Sequence, residues 1–154
     1  KVVQIAGYIA EHTAYHHGEF ALHDTIIKMA QDFVGSNNVP LLVASGQFGT
    51  RAQGGNDHAS PRYVFTRLSP ITRVLFPAED DELLEFAEED GITVEPRHFI
   101  PVLPTLLLNG SHGIGTGWST FVPTFHLPDV VEQVRSRIQG TSLPPPLKPY
   151  VVGF

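Results

Sequence analysis

Apolar side chains recur through the first sixteen positions with small residues between them: Val3, Ile5 and Ile9, with Glu11 and His12 on a polar side and Tyr15 near the end. That pattern predicts a helix over residues 1–16. It stops at His16-His17-Gly18, where Gly18 suits a tight turn or a left-handed residue, and Glu19 then puts an acid in the first turn of a second helix. From Glu19 to Val34 the residues Leu22, Ile26, Met29 and Phe33 fall at i, i+4, i+7 and i+11, one apolar stripe. His23, Asp24, Lys28 and Gln31 take the opposite face, and Asp24 with Lys28 makes an i,i+4 pair worth ~0.2–0.5 kcal/mol. Two helices joined by a short turn, the second polar on its outer side, is how a helix-turn-helix reads in sequence. Any helical hairpin reads the same way, so the pattern alone assigns nothing.

Further along, Gly35-Ser36-Asn37-Asn38 reads as a loop and Pro40-Leu41-Leu42-Val43 as a short strand. The segment Val64 to Phe76 begins as a strand and continues into a short helix after Pro70. Residues 79–90 read as a helix with Leu83, Leu84, Phe86 and Ala87 on one face and a solvated acidic remainder. Pro96, Pro101 and Pro104 confine residues 92–108 to edge strands or extended connections. A last helix opens at Pro128-Asp129, buries Val130, Val131, Val134 and Ile138, carries Arg135 and Arg137 in its final turns, and stops at Gly140. Pro144-Pro145-Pro146 and Pro149 form a stiff exit that suggests continuation into another domain.

Composition narrows the class. A chain of 154 residues has the size of one domain and buries roughly 68–70% of its unfolded surface. No apolar run approaches the ~18 residues of a membrane span, so a soluble domain with no membrane partner is expected. Cysteine is absent, which removes disulfides and thiolate metal sites and fits a reducing compartment. No secretory signal is visible, and Lys1-Val2-Val3 resembles the middle of an element, as in a segment of a longer protein. The net charge of −6 argues against an isolated nucleic-acid binder. Residues 79–90, however, hold eight of the sixteen acids, and without them −6 becomes +2. The remainder is mildly basic, and the objection weakens.

Candidate chemistry centres on Pro61-Arg62-Tyr63-Val64-Phe65-Thr66, reached through Gly54-Gly55-Asn56-Asp57-His58-Ala59-Ser60. A tyrosine after a turn-rich loop and beside an arginine can be presented outward as a nucleophile toward phosphate esters. A phenol is mostly protonated near neutral pH, so a fixed cation and a nearby base or metal are required. Against this stands the commoner case of a strand tyrosine with a hydrogen-bonded hydroxyl. Gly46-Gln47-Phe48-Gly49-Thr50-Arg51 and Gly54-Gly55 read equally as a phosphate contact through free N–H groups or as hairpin turns, and the Lys-Ser/Thr end of a Walker motif is missing. In Asn109-Gly110-Ser111-His112-Gly113-Ile114-Gly115-Thr116-Gly117-Trp118, Ile114 stands on a bare glycine loop, placed either to wedge between base pairs or to plug its own core. A dinucleotide fingerprint is rejected there because no βαβ unit or ribose-binding acid follows. His12 and His16 lie four apart, but no His-Glu-x-x-His pattern, thiol or third ligand accompanies them, so a structural zinc site is not expected. His17, beside Gly18, is free to exchange a proton near neutral pH.

Taken together, Tyr15-His16-His17-Gly18-Glu19, Phe33-Val34-Gly35-Ser36-Asn37-Asn38, Gly46-Gln47-Phe48-Gly49-Thr50-Arg51, Ser60-Pro61-Arg62-Tyr63-Val64-Phe65-Thr66 and Gly113-Ile114-Gly115-Thr116-Gly117-Trp118-Ser119 resemble the eukaryotic-type type IIA DNA topoisomerases over nearly the whole chain. The resemblance implies an α+β fold: a winged-helix domain (helix-turn-helix with β wing) over residues 1–140 of the DNA breakage-reunion core, and a Pro-rich connection over 141–154 toward a tower domain. It implies that Tyr63 is the nucleophile forming a transient 5′-phosphotyrosyl link, that Arg62 stabilises the pentavalent phosphate, and that His17 hydrogen-bonds near the scissile phosphate. Ile114 would intercalate and bend the DNA. The helix from Glu19 to Val34 would be the recognition helix, with Lys28, Gln31, Gln47 and Arg51 as backbone contacts. Double-stranded DNA and a second copy of the enzyme would be the partners, the dimer contacts lying mostly outside the segment, and the nucleus, or a host-cell compartment for a viral enzyme, the location. Mg2+ would be held by a TOPRIM domain and ATP by a further domain, both outside this segment, leaving the fragment inactive alone and without metal ligands of its own. Asn56 and His112 depart from the family pattern, where Lys and an acid are common. A winged-helix module that binds DNA or protein without chemistry is the alternative.

Overall fold

The computed structural model describes residues 1–142 and 144–154, which divide into two units: residues 1–31 with 41–102, and residues 32–40 with 103–154. In the second unit, residues after Gly140 pack with 32–40, where Asn38 Nδ2 donates to the Tyr150 carbonyl (2.9 Å) and Asn38 Oδ1 accepts the Val152 N–H (3.0 Å). Leu143, within the expected Pro-rich connection, lies outside the described residues.

In the first unit α1 (Val2–His12) ends four residues earlier than its periodicity suggests. Thr13 takes an extended backbone, and both its N–H and its Oγ1 donate to the Ile9 carbonyl at 2.9 Å, closing the helix. Helix α2 (Glu19–Ala30) starts after Gly18, whose φ of +85° only glycine adopts without strain, and stops at Gln31 rather than Val34. Its buried positions are Leu22, His23, Ile26, Ile27 and Ala30. The stripe is therefore rotated from the one expected: His23 faces inward, Met29 sits at the margin, and Phe33 belongs to the other unit. The core joins Val2 and Ala6 of α1 and Leu22, Ile26, Ile27 and Ala30 of α2 to Phe48 and Val64. A fully buried side chain of this kind is worth ~1.5–3 kcal/mol, so packing, not the exposed Asp24–Lys28 pair, holds the two helices.

Extended backbone near residues 42–45 and 65–68 is joined by the antiparallel bridges Ser45 to Phe65 and Leu42 to Leu68, ahead of the short helix α3 (Thr72–Leu75). The acidic segment is not the helix expected of it. A 3-10 turn over Ala78–Leu83 leads into β1 (Phe86–Glu89), which pairs with β2 (Ile92–Pro96) through a turn of Asp90 (φ +52°) and Gly91 (φ +77°). Asp-Gly is a strong two-residue hairpin signal because both residues tolerate positive φ.

The second unit contains α4 (Thr105–Asn109), β3 (Ser111–Gly115), β4 (Trp118–Val122) and α5 (Leu127–Gln139). Asn109 pairs with backbone through its side chain as a strand residue would through its main chain: Nδ2 donates to the Val39 carbonyl (2.9 Å) and Oδ1 accepts the Val39 N–H (2.8 Å). Strands β3 and β4 form an antiparallel hairpin, so residues 109–118 are not a bare loop. In α5 Val130 and Ser136 are buried, whereas Ile138, expected inside, is exposed. Gly140 closes the helix in the left-handed region, as the sequence indicates. The α+β class holds, with two separate two-stranded sheets among the described residues.

Candidate active site

The first four N–H groups of a helix have no partner within it. In α1 the tyrosine segment supplies two: Val2 N–H donates to the Val64 carbonyl (3.1 Å) and Val3 N–H to the Pro61 carbonyl (3.2 Å). Between these anchors the chain turns tightly, with Tyr63 N–H donating to the Ser60 carbonyl (2.8 Å). Val64, next in sequence, is 1% exposed in the core, and Phe65 exchanges both backbone hydrogen bonds with Ser45 (2.9 and 3.1 Å). Tyr63 itself is 69% exposed. An outward phenol thus sits on a backbone fixed from both sides. The Arg62 guanidinium lies 5.4 Å from the Tyr63 ring centroid, in cation–π range, and its Nε is 3.5 Å from Ser60 Oγ.

The glycine-rich stretch behind this turn is wired to itself. Gly49 N–H donates to Gln47 Oε1 (3.1 Å), Thr50 N–H to Asp57 Oδ1 (2.7 Å), Gly54 N–H to the Arg51 carbonyl (3.1 Å), and Gly55 N–H to the Thr50 carbonyl (2.9 Å). Those donors are not free to cradle a phosphate, and the turn reading wins. Two hydrogen bonds from Thr50, side chain then backbone, hold the Asp57 carboxyl below its usual range. Gln31, expected among the DNA contacts, is 7% exposed, and its Nε2 donates to the carbonyls of Phe48 (2.9 Å) and Gly55 (3.1 Å). It braces the loop from beneath, and a phosphate contact by that side chain is withdrawn. The sequence signal missed is its position: one residue past the helix, the amide turns under the loop instead of outward.

Four expected contacts remain on the outside. Lys28 pairs with Asp24 at 2.7 Å, Gln47 is exposed with its side-chain carbonyl folded back on Gly49, and Arg51 opens a one-turn 3-10 helix (Arg51–Gln53). His17 is exposed in the connection between α1 and α2, its ring edge-on to Tyr15 at 5.5 Å. In the second unit Ile114 is 84% exposed, so it plugs no core of its own. It pairs with Ser119 on β3–β4, two residues from the Thr116-Gly117 turn, and shares a face with His112 and Phe121, whose rings meet at 6.3 Å. Among the described residues no three His, Asp or Glu side chains gather where they could hold a metal ion, and no helix is long and apolar enough to cross a membrane.

The family model for the A-type polypeptide of DNA gyrase/topoisomerase IV matches residues 1–154, the whole chain. The chain belongs to that family. Within it the likeness is to eukaryotic DNA topoisomerase 2: 56% identity to the Trypanosoma brucei brucei protein of that name, over all of this chain and 13% of the relative. It is 53% identical to the mitochondrial DNA topoisomerase 2 of Dictyostelium discoideum, again over the whole chain and 12% of that protein. Among solved structures, the Plasmodium falciparum topoisomerase II DNA-binding, cleavage and re-ligation domain superposes with a TM-score of 0.95 at 48% identity, covering all of this chain and 21% of that one. The α+β, winged-helix organisation expected of the topoisomerase segment agrees with that match. The chain spans about an eighth of the length of these curated relatives.

Proposed function

We propose that this chain is the tyrosine-bearing breakage-reunion segment of an ATP-dependent type II DNA topoisomerase. One observation carries the reading: in a member of this family, a largely exposed Tyr63 stands on backbone anchored to α1 on one side and to the core on the other. In the reaction, Tyr63 Oη attacks the phosphorus of a DNA phosphodiester and gives up its proton to a base or water. The bond to the 3′ oxygen breaks, that oxygen is protonated, and the 5′ end stays esterified to Tyr63. One phosphate ester replaces another, so attack by the 3′ hydroxyl restores the strand without an outside energy source. Arg62, held beside the ring, faces the negative charge that grows on the phosphoryl oxygens, and His17 donates a hydrogen bond near the scissile phosphate. Lys28, Gln47 and Arg51 meet the backbone phosphates, whose contacts position the duplex without reading sequence.

Two such tyrosines in a homodimer would open both strands for a second duplex to pass. Mg2+ is assigned to a TOPRIM domain and ATP to another, both beyond this segment. The nucleus is the proposed location, with the mitochondrial name of the Dictyostelium relative making organelle DNA the competing address. The test is a denaturant-quenched cleavage reaction of the intact enzyme, digested and mapped by mass spectrometry. The nucleotide adduct is expected on Tyr63, and an adduct elsewhere, or none, refutes the assignment.

Ile114 supplies a separate prediction. An aliphatic wedge offsets the few kcal/mol needed to unstack a base step by exposing more duplex to the protein. Ile114→Ala is expected to lower DNA bending, read by energy transfer between duplex ends, and cleavage by about tenfold, which corresponds to 1.4 kcal/mol, with a smaller loss of affinity. Equal loss of all three would assign Ile114 a packing role instead.

A further inference from the structure

The connection Thr13–Gly18 carries His17 between two helices, and little backbone hydrogen bonding holds it. Its N-terminal end is closed on the Ile9 carbonyl, Tyr15 N–H donates to the Thr13 carbonyl (2.8 Å), and the Tyr15 ring packs against the core. Beyond Tyr15 the chain must still fix His16 and His17 before Gly18 turns it into α2. The brace there comes from 73 residues away: His16 Nε2 lies 3.1 Å from Glu89 Oε1. A carboxylate only accepts hydrogen bonds, so Nε2 carries the hydrogen and the tautomer of His16 is set. Glu89 is the last residue of β1, opposite Ile92, and the Asp90-Gly91 turn that follows fixes its place. The acidic hairpin, which otherwise opposes DNA by its charge, thereby touches the residue next to the proposed phosphate ligand.

We propose that Glu89 is a positioning residue that acts through His16 on His17. The inference rests on the functional reading above. Both partners are substantially exposed, with side-chain exposures of 74% for His16 and 46% for Glu89. An exposed pair of this kind adds little to folding stability. Loss of Glu89 should therefore leave the fold intact and show in the orientation of the neighbouring ring, where a misplacement of about 1 Å is enough to cost up to ~100-fold in rate.

The experiment measures single-turnover cleavage of a plasmid by the full-length enzyme with Mg2+. Glu89→Ala is expected to slow cleavage by roughly tenfold with unchanged DNA affinity and melting temperature. Glu89→Gln retains an acceptor for His16 Nε2–H and should keep most of the rate. In a His17→Ala background, Glu89→Ala should add no further loss, since its route of action is gone. A wild-type rate for Glu89→Ala, equal losses for the Ala and Gln variants, or a full additional loss in the His17→Ala background would each overturn the proposal. If instead Tyr63→Phe still cleaved DNA, the underlying functional reading would fall, and the two failures are thus told apart.

Discussion

Tyr63→Phe in the intact enzyme is expected to abolish relaxation of supercoiled plasmid while leaving DNA affinity unchanged. The substitution removes one oxygen. The ring stays, and with it the 5.4 Å contact to the Arg62 guanidinium. Nothing in the support changes either, since the anchors are backbone hydrogen bonds from Val2, Val3 and Tyr63 and the burial of Val64. With the fold and the cation retained, the rate lost is that of the nucleophile itself, on the order of 10^6-fold where a covalent nucleophile has been removed from serine enzymes. A gel assay for relaxation and a filter-binding or anisotropy assay for affinity measure the two quantities separately. Residual relaxation above background would show that another group forms the covalent bond, or that none does. Relaxation lost without loss of binding excludes a module that only binds. The contrast between this large effect and the roughly tenfold one expected for Glu89→Ala follows from the role proposed for each residue. In that proposal Tyr63 makes and breaks the bond, whereas Glu89 orients a neighbour of a group that touches the phosphate.

How much of this is legible in the sequence depends on whether a residue's role is local. The outward placement of Tyr63 follows from a turn before it and an apolar residue after it, both visible in Ser60-Pro61-Arg62-Tyr63-Val64, and the structure agrees. The flanking glycines of Ile114 are compatible with both a wedge and a core plug; its exposure, and the hairpin that carries it, come from the folded chain. Gln31 and His23 depart from expectation for one reason. Helical periodicity runs on through Met29 and Phe33, but α2 stops at Ala30 and buries the adjacent face, so the supposedly outer residues turn inward. The His23 Nε2 that results is buried without a hydrogen-bond partner, which no pattern of apolar residues would foretell. The acidic stretch misleads through its turn: Asp90-Gly91 between Phe86-Ala87-Glu88-Glu89 and Ile92-Thr93-Val94 outweighs helix propensity spread over charged residues. The brace between His16 and Glu89 joins segments that only the folded chain brings together.

Gly49→Ala should cost far more than Gly54→Ala, although both replace a glycine of positive φ in one loop. At Gly54 (φ +58°) a Cβ would meet nothing within 4 Å, and an alanine there bears only the left-handed penalty of about 1–2 kcal/mol. At Gly49 (φ +100°) the same atom would stand 2.5 Å from the Gly55 carbonyl oxygen and 2.6 Å from its Cα, backbone that cannot rotate aside. Relief requires Gly55 to move, yet Gly55 carries the hydrogen bonds to Thr50 and Gln31 that close the loop. Strain and broken bonds together put the loss at about 3 kcal/mol or more. Hydrogen exchange of residues 46–59 in the intact protein reads it directly, since the amides of Gly55 and Ala59 report the Thr50 and Gln47 carbonyl contacts. Faster exchange in Gly49→Ala with near-normal protection in Gly54→Ala is the expected outcome, and equal protection in both would mean the two loop strands do not approach as closely as they do here. Because Ala59 leads into the Ser60–Tyr63 turn, the same variant should also slow cleavage, so that a loop whose glycine N–H groups are spent on its own closure still governs where the phenol stands.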